Sequence, residues 1–175
     1  MSSKTRPRAV VDDEWEGLVA WLDDGLRRGE RGRLQGEYPI SLRPEHASRH
    51  RVVADGDSFR AHAMFHCVTA RVDGSALPVG LISLVYTDPA ARGQGLASLC
   101  VEACVEGLRR EGSALALLWT DRPSFYERLG FWKVGQERLL ALDRRLIRSA
   151  EPARDGFEVA AWREQDLGAL ESMYL

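Results

Sequence analysis

Residues 79–97 read VGLISLVYTDPAARGQGLA, and the rest of the architecture can be worked out from this stretch. Its first half continues a run rich in Val, Leu and Ile that predicts a strand over residues 76–87. From Gly95 to Arg110 the apolar residues recur at three- and four-residue steps, which predicts a helix. Between them lies the glycine-rich turn Arg92-Gly93-Gln94-Gly95.

The glycine-rich turn stands at the start of a helix, where anions bind well. The first backbone N–H groups of a helix lack intrahelical partners, the helix dipole is positive there, and glycine lets the backbone approach a ligand closely. We expect the N–H groups of residues 93–98 to face a diphosphate, with Arg92 adding charge. The rival interpretation is a tight turn only. Neither G-x-x-x-x-G-K-[ST] nor G-x-G-x-x-G occurs, which disfavours P-loop and dinucleotide sites.

Upstream of this stretch, the sequence predicts a helix followed by a meander. Residues 10–28 have amphipathic helical spacing, and residues 31–49 have no regular pattern because Pro39 and Pro44 interrupt them. Strands are expected over residues 50–54, 58–72 and 76–87. The Asp-Gly pairs at 55–56 and 73–74 are typical of tight hairpin turns, so these strands form an antiparallel meander.

Downstream, a strand over residues 114–119 follows the helix, which implies a right-handed crossover and a parallel strand pair. A short helix over 123–129 and strands over 131–134 and 138–143 complete the domain. We therefore expect a flexible segment 1–9, one α/β (α+β) domain over 10–146, a linker over 147–156 and a strand-helix extension over 157–175. The extension either begins a second module of a tandem protein or docks as an edge strand, on its own sheet or in a homodimer.

Composition excludes several classes of protein. The chain of 175 residues has a formal net charge of −2, which does not suit a nucleic-acid partner. No apolar run approaches the roughly 20 residues that span a bilayer, so no membrane association is expected. Three cysteines without a secretory signal predict a reducing, cytoplasmic location.

Two segments resemble one family. Residues 79–97 resemble the acetyl-CoA motif of the GNAT superfamily of N-acetyltransferases, and residues 121–131, DRPSFYERLGF, resemble a second motif of the same family. The resemblance implies a central mixed, mostly antiparallel sheet that splays open between the strands ending at Thr87 and Trp119. Acetyl-CoA is the implied cosubstrate, with its pantetheine arm pairing with the backbone at Val85 and Thr87. The implied cofactor-binding residues are Val85, Tyr86, Thr87, Arg92, Gly93, Gln94, Gly95, Leu96, Ala97 and Ser98.

The resemblance also implies a mechanism. A primary amine, on a small molecule or a protein, attacks the thioester directly, and Tyr126 is by motif position the general acid to the CoA thiolate. A backbone N–H near Val85 stabilises the oxyanion. Tyr126 has an alternative interpretation as a core aromatic residue of a short helix. The general base stays open, with Glu37, His66, Tyr86 and Asp121 as candidates. The alternative function is a non-catalytic acyl-CoA-binding sensor.

Other reactive residue types are interpreted as structural, and no metal is expected. His62 and His66 would stand about 13 Å apart on a strand, too far to share an ion. His46 and His50 lack a zinc signature. Cys100 and Cys104 lie on the core face of their helix and act as small hydrophobic residues. The acidic residues of the first helix predict either a solvated face or an attraction for a cationic amine; they are Asp12, Asp13, Glu14, Asp23 and Asp24.

Overall fold

The structure is a computed structural model that describes residues 6–27, 32–135 and 163–166. The chain divides into two units, Met1–Phe131 and Trp132–Leu175. The first unit holds the sheet and the helices. In the second, residues 132–135 have no regular structure, and Glu164–Asp166 is a single 3₁₀ turn. The predicted linker, the strand over 138–143 and most of the extension lie outside the described residues, so the domain boundaries stay a prediction.

The first unit is built on a five-stranded mixed sheet in the order β1-β2-β3-β4-β5. The first four strands pair antiparallel and β5 pairs parallel to β4, as the meander and crossover predict. Asp73 and Gly74 both have positive φ, which is the backbone of a tight hairpin turn. The strands are β1 Arg8–Ala9, β2 His50–Asp55, β3 Ser58–Val72, β4 Ser75–Thr87 and β5 Leu115–Leu117.

Helices cover both faces of this sheet and create two separate cores. One face carries α1 (Trp15–Arg27) and α2 (Arg33–Glu37), packed with Val52, Met64 and Leu84. The other face carries α3 (Leu96–Arg110), packed with Phe65, Ile82 and others. The helix α4 (Pro123–Glu127) follows β5. The predicted fold class, a mostly antiparallel sheet flanked by helices, is confirmed.

Helix α3 lies unusually close to the sheet at two glycines. A Cβ added to Gly80 of β4 would lie 2.3 Å from Leu108 Cδ1, and one added to Gly107 would lie 2.5 Å from Phe65 Cζ. No side chain larger than hydrogen fits at either place without displacing a core residue. These contacts hold the C-terminal half of α3 against β3 and β4.

Several predicted elements differ in the structure. Helix α1 begins at Trp15, because residues 12–14 form a 3₁₀ turn and Val10 is already buried near the sheet. Residues expected to be flexible, Arg8 and Ala9, pair with Val52 and Arg51 of β2. The predicted strand over 131–134 is wrong, since the chain there has no regular structure.

Helix α2 was also missed, because a tertiary contact creates it. The Asp23 side chain, only 3% exposed, accepts hydrogen bonds from the N–H groups of Gly32 and Leu34 at 2.7 and 2.9 Å. A carboxylate at a helix N-terminus satisfies unpaired donors and complements the dipole. The prediction of a solvated acidic face is therefore wrong for Asp23. Glu14 instead pairs with Arg8, while Asp12, Asp13 and Asp24 are exposed.

Among the residues described, none of the helices is long and apolar enough to cross a membrane. Within the same part of the chain no group of three or more His, Cys, Asp or Glu side chains is arranged to hold a metal ion. The cytoplasmic location, the homodimer and the absence of nucleic-acid partners stay predictions.

Substitution of Asp23 tests the hydrogen bonds that connect α1 with the start of α2. We expect Asp23→Ala to lower the free energy of unfolding by about 2–3 kcal/mol, because two charge-assisted hydrogen bonds are lost and the buried Leu34 N–H is left unpaired. Denaturant unfolding gives the value. Asp24→Ala, one residue away but exposed, is the matched control and should change it by less than about 0.5 kcal/mol. Equal effects of the two substitutions would contradict this account.

Candidate active site

The sheet opens between β4 and β5. Only Val79, Gly80 and Leu81 of β4 pair with β5, although β4 continues to Thr87. In the described part of the chain, residues 82–87 therefore have one edge paired with β3 and another, toward residues 118–120, without a strand partner. On this edge the Thr87 carbonyl accepts a hydrogen bond from Arg92 Nε at 3.4 Å. Backbone N–H and C=O groups on such an edge need partners. The predicted splayed sheet is confirmed.

A β-bulge in β4 lies in the opened part. Ser83 pairs with Met64 and Tyr86 with His62, so two residues of β4, Leu84 and Val85, lie opposite one residue of β3. Leu84 has a φ of +53°, in the left-handed region that side chains other than glycine rarely adopt. The bulge also reverses which side chains face which helix: Gly80 and Ile82 face α3, whereas Leu84 and Tyr86 pack with α1.

The opening forms a cleft of about 230 Å³. One wall is the bulged part of β4, and the opposite wall is the segment after β5 together with α4. The end of α1 and the segment after α2 close a third side. The lining residues are Leu26, Arg27, Tyr38, Ile82, Ser83, Leu84, Val85, Leu118, Trp119, Thr120, Asp121 and Tyr126.

Tyr126 reaches this cleft from α4. Its ring packs edge-on against Phe125 and Phe131, with centroids 4.8 and 5.9 Å apart, and belongs to the core that includes Val85. Burial raises the pKa of Tyr126, and the nearby Asp121 carboxylate raises it further. Both effects keep the hydroxyl protonated at neutral pH. The structure thus combines the two interpretations of Tyr126, because the ring packs in the core and the residue also lines the cleft.

The four candidate bases differ in their contacts and in whether they line the cleft. Glu37 is bonded to Arg27 and Arg33, and these hydrogen bonds lower the pKa of its carboxyl. His66 contacts Arg49 and the ring of His46 and does not line the cleft. Of the four, only Asp121 lines the cleft with Tyr126.

The fourth candidate, Tyr86, is packed against α1. Its ring lies 4.8 Å from that of Trp21, and a Cβ on Gly25 would lie 2.2 Å from Tyr86 Cζ. Burial raises the pKa of Tyr86, with a further rise from Asp88. A protonated phenol is a poor base, so the structure favours a packing role for Tyr86.

The glycine-rich turn has the shape expected of an anion cradle. Pro89–Ala91 form a 3₁₀ turn in which Asp88 Oδ1 accepts the Ala90 N–H at 2.8 Å. Gly93 and Gly95 have φ of +79° and +75°, and nothing lies within 4 Å of a Cβ built on either. Residues 92–95 are exposed, and α3 starts at Leu96 as a helix of 15 residues. Unpaired N–H groups of its first turn can thus meet a ligand.

The two helix cysteines lie away from this chemistry. Cys100 and Cys104 are fully buried against the sheet, and neither lines the cleft. Burial raises the pKa of Cys100 to about 12 and raises that of Cys104 further. A thiol that stays protonated is a poor nucleophile, which agrees with the structural role predicted for both.

The histidines pair across elements rather than along the chain. His50 and His62 are both fully buried and hydrogen-bonded to each other, and His46 packs edge-on against His66. Sequence reasoning missed the first of these pairs because the two residues lie on different strands. It also missed Arg27, Tyr38 and Trp119 in the cleft, which carry no motif. None of the five acidic residues near the N-terminus lines the cleft. The lining of the cleft therefore does not support the prediction that these residues attract a cationic amine.

Comparisons with known proteins agree with this geometry. Residues 6–135 match the family described as acetyltransferase (GNAT) domain. No curated protein matches the sequence. Similar solved structures include an acetyltransferase of Trypanosoma brucei, 21% identical, with a TM-score of 0.61 over 78% of this chain and 99% of that one. Glucosamine-6-phosphate N-acetyltransferase of Arabidopsis thaliana is 14% identical, with a TM-score of 0.60 over 79% and 98%. A GCN5-related N-acetyltransferase of Kribbella flavida is 21% identical, with a TM-score of 0.60 over 71% of this chain and 32% of that one.

The contact of Tyr86 with α1 is tested at Gly25. We expect Gly25→Ala to destabilise the protein by about 1–3 kcal/mol, because the added methyl overlaps the Tyr86 ring. Gly17→Ala is the control on the same helix, since its Cβ would lie 4.0 Å from its nearest neighbour, Phe59. That substitution should stabilise by up to about 1 kcal/mol through helix propensity. Thermal unfolding measures both, and stabilisation by Gly25→Ala would refute the contact.

Proposed function

We propose that this chain, which belongs to the GNAT acetyltransferase family as its sequence predicts, transfers an acetyl group from acetyl-CoA to a primary amine. Family membership supports acyl transfer as the general reaction. The observation that supports the specific one is that Val85, at the bulge, and Tyr126, on α4, line the same cleft. One supplies a backbone donor and the other a hydroxyl that stays protonated at neutral pH, as direct transfer from a thioester requires.

Two parts of the chain would hold the cosubstrate. The cradle from Arg92 to Ser98 fits a pyrophosphate, since its glycines leave the N–H groups accessible and Arg92 is exposed. The open edge of β4 from Val85 to Thr87 fits the amide-bearing pantetheine arm, because a strand edge and an extended amide chain satisfy each other's hydrogen bonds. Acetyl-CoA supplies the activated thioester. The residues of the chain orient this thioester and donate or accept the protons of the reaction.

In the proposed transfer the amine nitrogen attacks the carbonyl carbon of the thioester, and the carbon–sulfur bond breaks. The Val85 N–H stabilises the negative charge that develops on the carbonyl oxygen. The Tyr126 hydroxyl gives its proton to the departing sulfur. The amine gives its proton to Asp121, directly or through water, and solvent restores the proton of Tyr126.

The acceptor site is the remainder of the cleft. Asp121 presents a negative charge, whereas the Arg27 guanidinium is already paired with Glu37. Tyr38 and Trp119 present aromatic surface, with Trp119 67% exposed. These groups suit an amine that also carries an apolar part. A panel of small amines and peptides, assayed for CoA release and acetylated product, tests the proposal. Binding of acetyl-CoA with no product from any amine would instead favour the sensor.

A pair of glycine substitutions tests the cradle. Gly93→Ala should weaken acetyl-CoA binding about tenfold, because the methyl group and the altered turn separate the N–H groups from the pyrophosphate. Gly74→Ala has the same backbone problem, with a φ of +76°, in a turn far along the chain from the cradle. Each should destabilise the fold by about 1–2 kcal/mol. Calorimetric titration with CoA should show weakened binding for Gly93→Ala only, and equal affinities would rule the cradle out.

Removal of one hydroxyl tests the general acid. Tyr126→Phe should lower kcat about 10²-fold, the lower end for acid–base catalysis, and leave KM for acetyl-CoA nearly unchanged. Ser124→Ala removes an exposed hydroxyl from the same helix and should keep wild-type kcat. Steady-state assays with an amine from the panel give both constants. Wild-type turnover by Tyr126→Phe would show that another group, or water, protonates the thiolate.

A further inference from the structure

A chain of hydrogen bonds runs through the buried histidine pair to the bulge. His62 Nδ1 lies 2.7 Å from the carbonyl oxygen of Leu84, and His62 Nε2 lies 2.9 Å from His50 Nδ1. His50 Nε2 lies 3.2 Å from the carbonyl oxygen of Ser41. Both histidines have 0% exposure, and the ring of Trp15 packs edge-on against His50. These hydrogen bonds therefore link the segment before β2 to the strained residue of β4 through two rings that are shielded from solvent.

The number of protons on the two imidazoles determines how many of the three contacts are hydrogen bonds. Both of its ends are carbonyl oxygens, which only accept, so three hydrogen bonds need three N–H groups. Two neutral imidazoles have two. Burial lowers the pKa of both histidines well below the ordinary value, and His46, Arg51 and His66 lower that of His50 further. A third proton is thus disfavoured at neutral pH, and one of the three contacts has none.

The three contact lengths favour one placement of the two protons, in which the longest contact, between His50 Nε2 and the Ser41 oxygen, has none. His50 then donates from Nδ1 to His62 Nε2, and His62 donates from Nδ1 to the Leu84 carbonyl. The bond to Leu84 is the shortest of the three. It is strengthened because His62 accepts one hydrogen bond while donating the other.

The Leu84 carbonyl shares a planar trans peptide with the N–H of Val85. In such a unit the C=O and N–H point in opposite directions, so a partner that holds the oxygen also fixes the direction of the N–H. Leu84 is in the left-handed region, which costs a residue with a side chain energy unless its surroundings hold it there. Among the residues that the structure describes, His62 is the side chain that bonds to this peptide.

We propose that His62 is a positioning residue that fixes the peptide group between Leu84 and Val85 and so aims the Val85 N–H into the cleft. The inference rests on the proposed function, in which this N–H stabilises the charge on the acyl oxygen. His50 holds the His62 ring in the tautomer that donates to Leu84. Neither histidine touches the reactants.

Two amide substitutions at position 62 distinguish a positioning role of His62 from a packing role. In His62→Asn the amide nitrogen is attached to Cγ, as Nδ1 is in histidine, so it can still donate to Leu84. In His62→Gln the amide lies one bond further out, near the place of Nε2, and the donor to Leu84 is lost. Circular dichroism and thermal unfolding establish that each variant is folded before it is assayed.

We expect His62→Gln to lower kcat about tenfold, less than the 10²–10³-fold for outright removal of an oxyanion donor, because the N–H is misaligned rather than absent. KM for acetyl-CoA should change little, since the cradle is untouched. His62→Asn should recover most of kcat. Equal losses of kcat in two folded variants would overturn the positioning role.

NMR of the full chain gives a readout that needs no turnover. Imidazole ¹⁵N shifts of the wild type at neutral pH should show both histidines protonated at Nδ1. The Val85 amide resonance should be displaced further in His62→Gln than in His62→Asn. Protonation of His62 at Nε2 alone would overturn the inference even if a variant failed to fold or the wild type acetylated no amine. Equal displacement of the Val85 amide in two folded variants would overturn it as well. Lack of turnover in the wild type, by contrast, would reject the proposed function.

Discussion

The two-against-one mismatch between β3 and β4 at Leu84 controls the geometry of the cleft. It turns the strand so that Leu84 and Tyr86 join the α1 core, whereas Gly80 and Ile82 face α3. It lies three residues beyond Leu81, the last residue of β4 that pairs with β5. The left-handed backbone of Leu84 costs roughly 1–2 kcal/mol. Burial of its side chain, which is 7% exposed, and the bond from His62 offset that cost.

The cleft depends on both helical layers, so neither layer alone defines it. From the α1 side come Leu26 and Arg27, and the Asp23 tie brings α2 and Tyr38 beside them. On the other side, α4 and the segment after β5 supply Tyr126 and Asp121. The proposed acid and the candidate base thus belong to the same short region, while residues near the N-terminus contribute another wall of the cleft.

The sequence predicts the elements whose cause is local. Asp-Gly turns specify the meander, helical spacing specifies α3, and the positive φ of Gly93 and Gly95 is what those glycines allow. Tyr126 was found from its motif and does line the cleft. Its role, like those of the cradle residues, stays a prediction.

Features with a non-local cause could not be predicted in this way. The five residues of α2 have no helical periodicity and need the Asp23 carboxylate from another helix. The sequence does not reveal the bulge, because residues 79–85 are nearly all apolar. A change of face at Leu84 therefore does not alter the pattern of apolar and polar residues. The bond between His50 and His62 crosses two strands, and only their register brings the rings together.

The close approach of α3 at Gly80 and Gly107 has a consequence for ligand affinity. A helix pressed this tightly on the sheet keeps few alternative orientations, so the direction of its first N–H groups is settled when the protein folds. An anion that docks there then restricts little further backbone motion, and less of its interaction energy is spent on conformational entropy. Gly107 near the end of α3 and Gly80 on the strand beside it would thereby favour tight binding of an anion at the start of the helix.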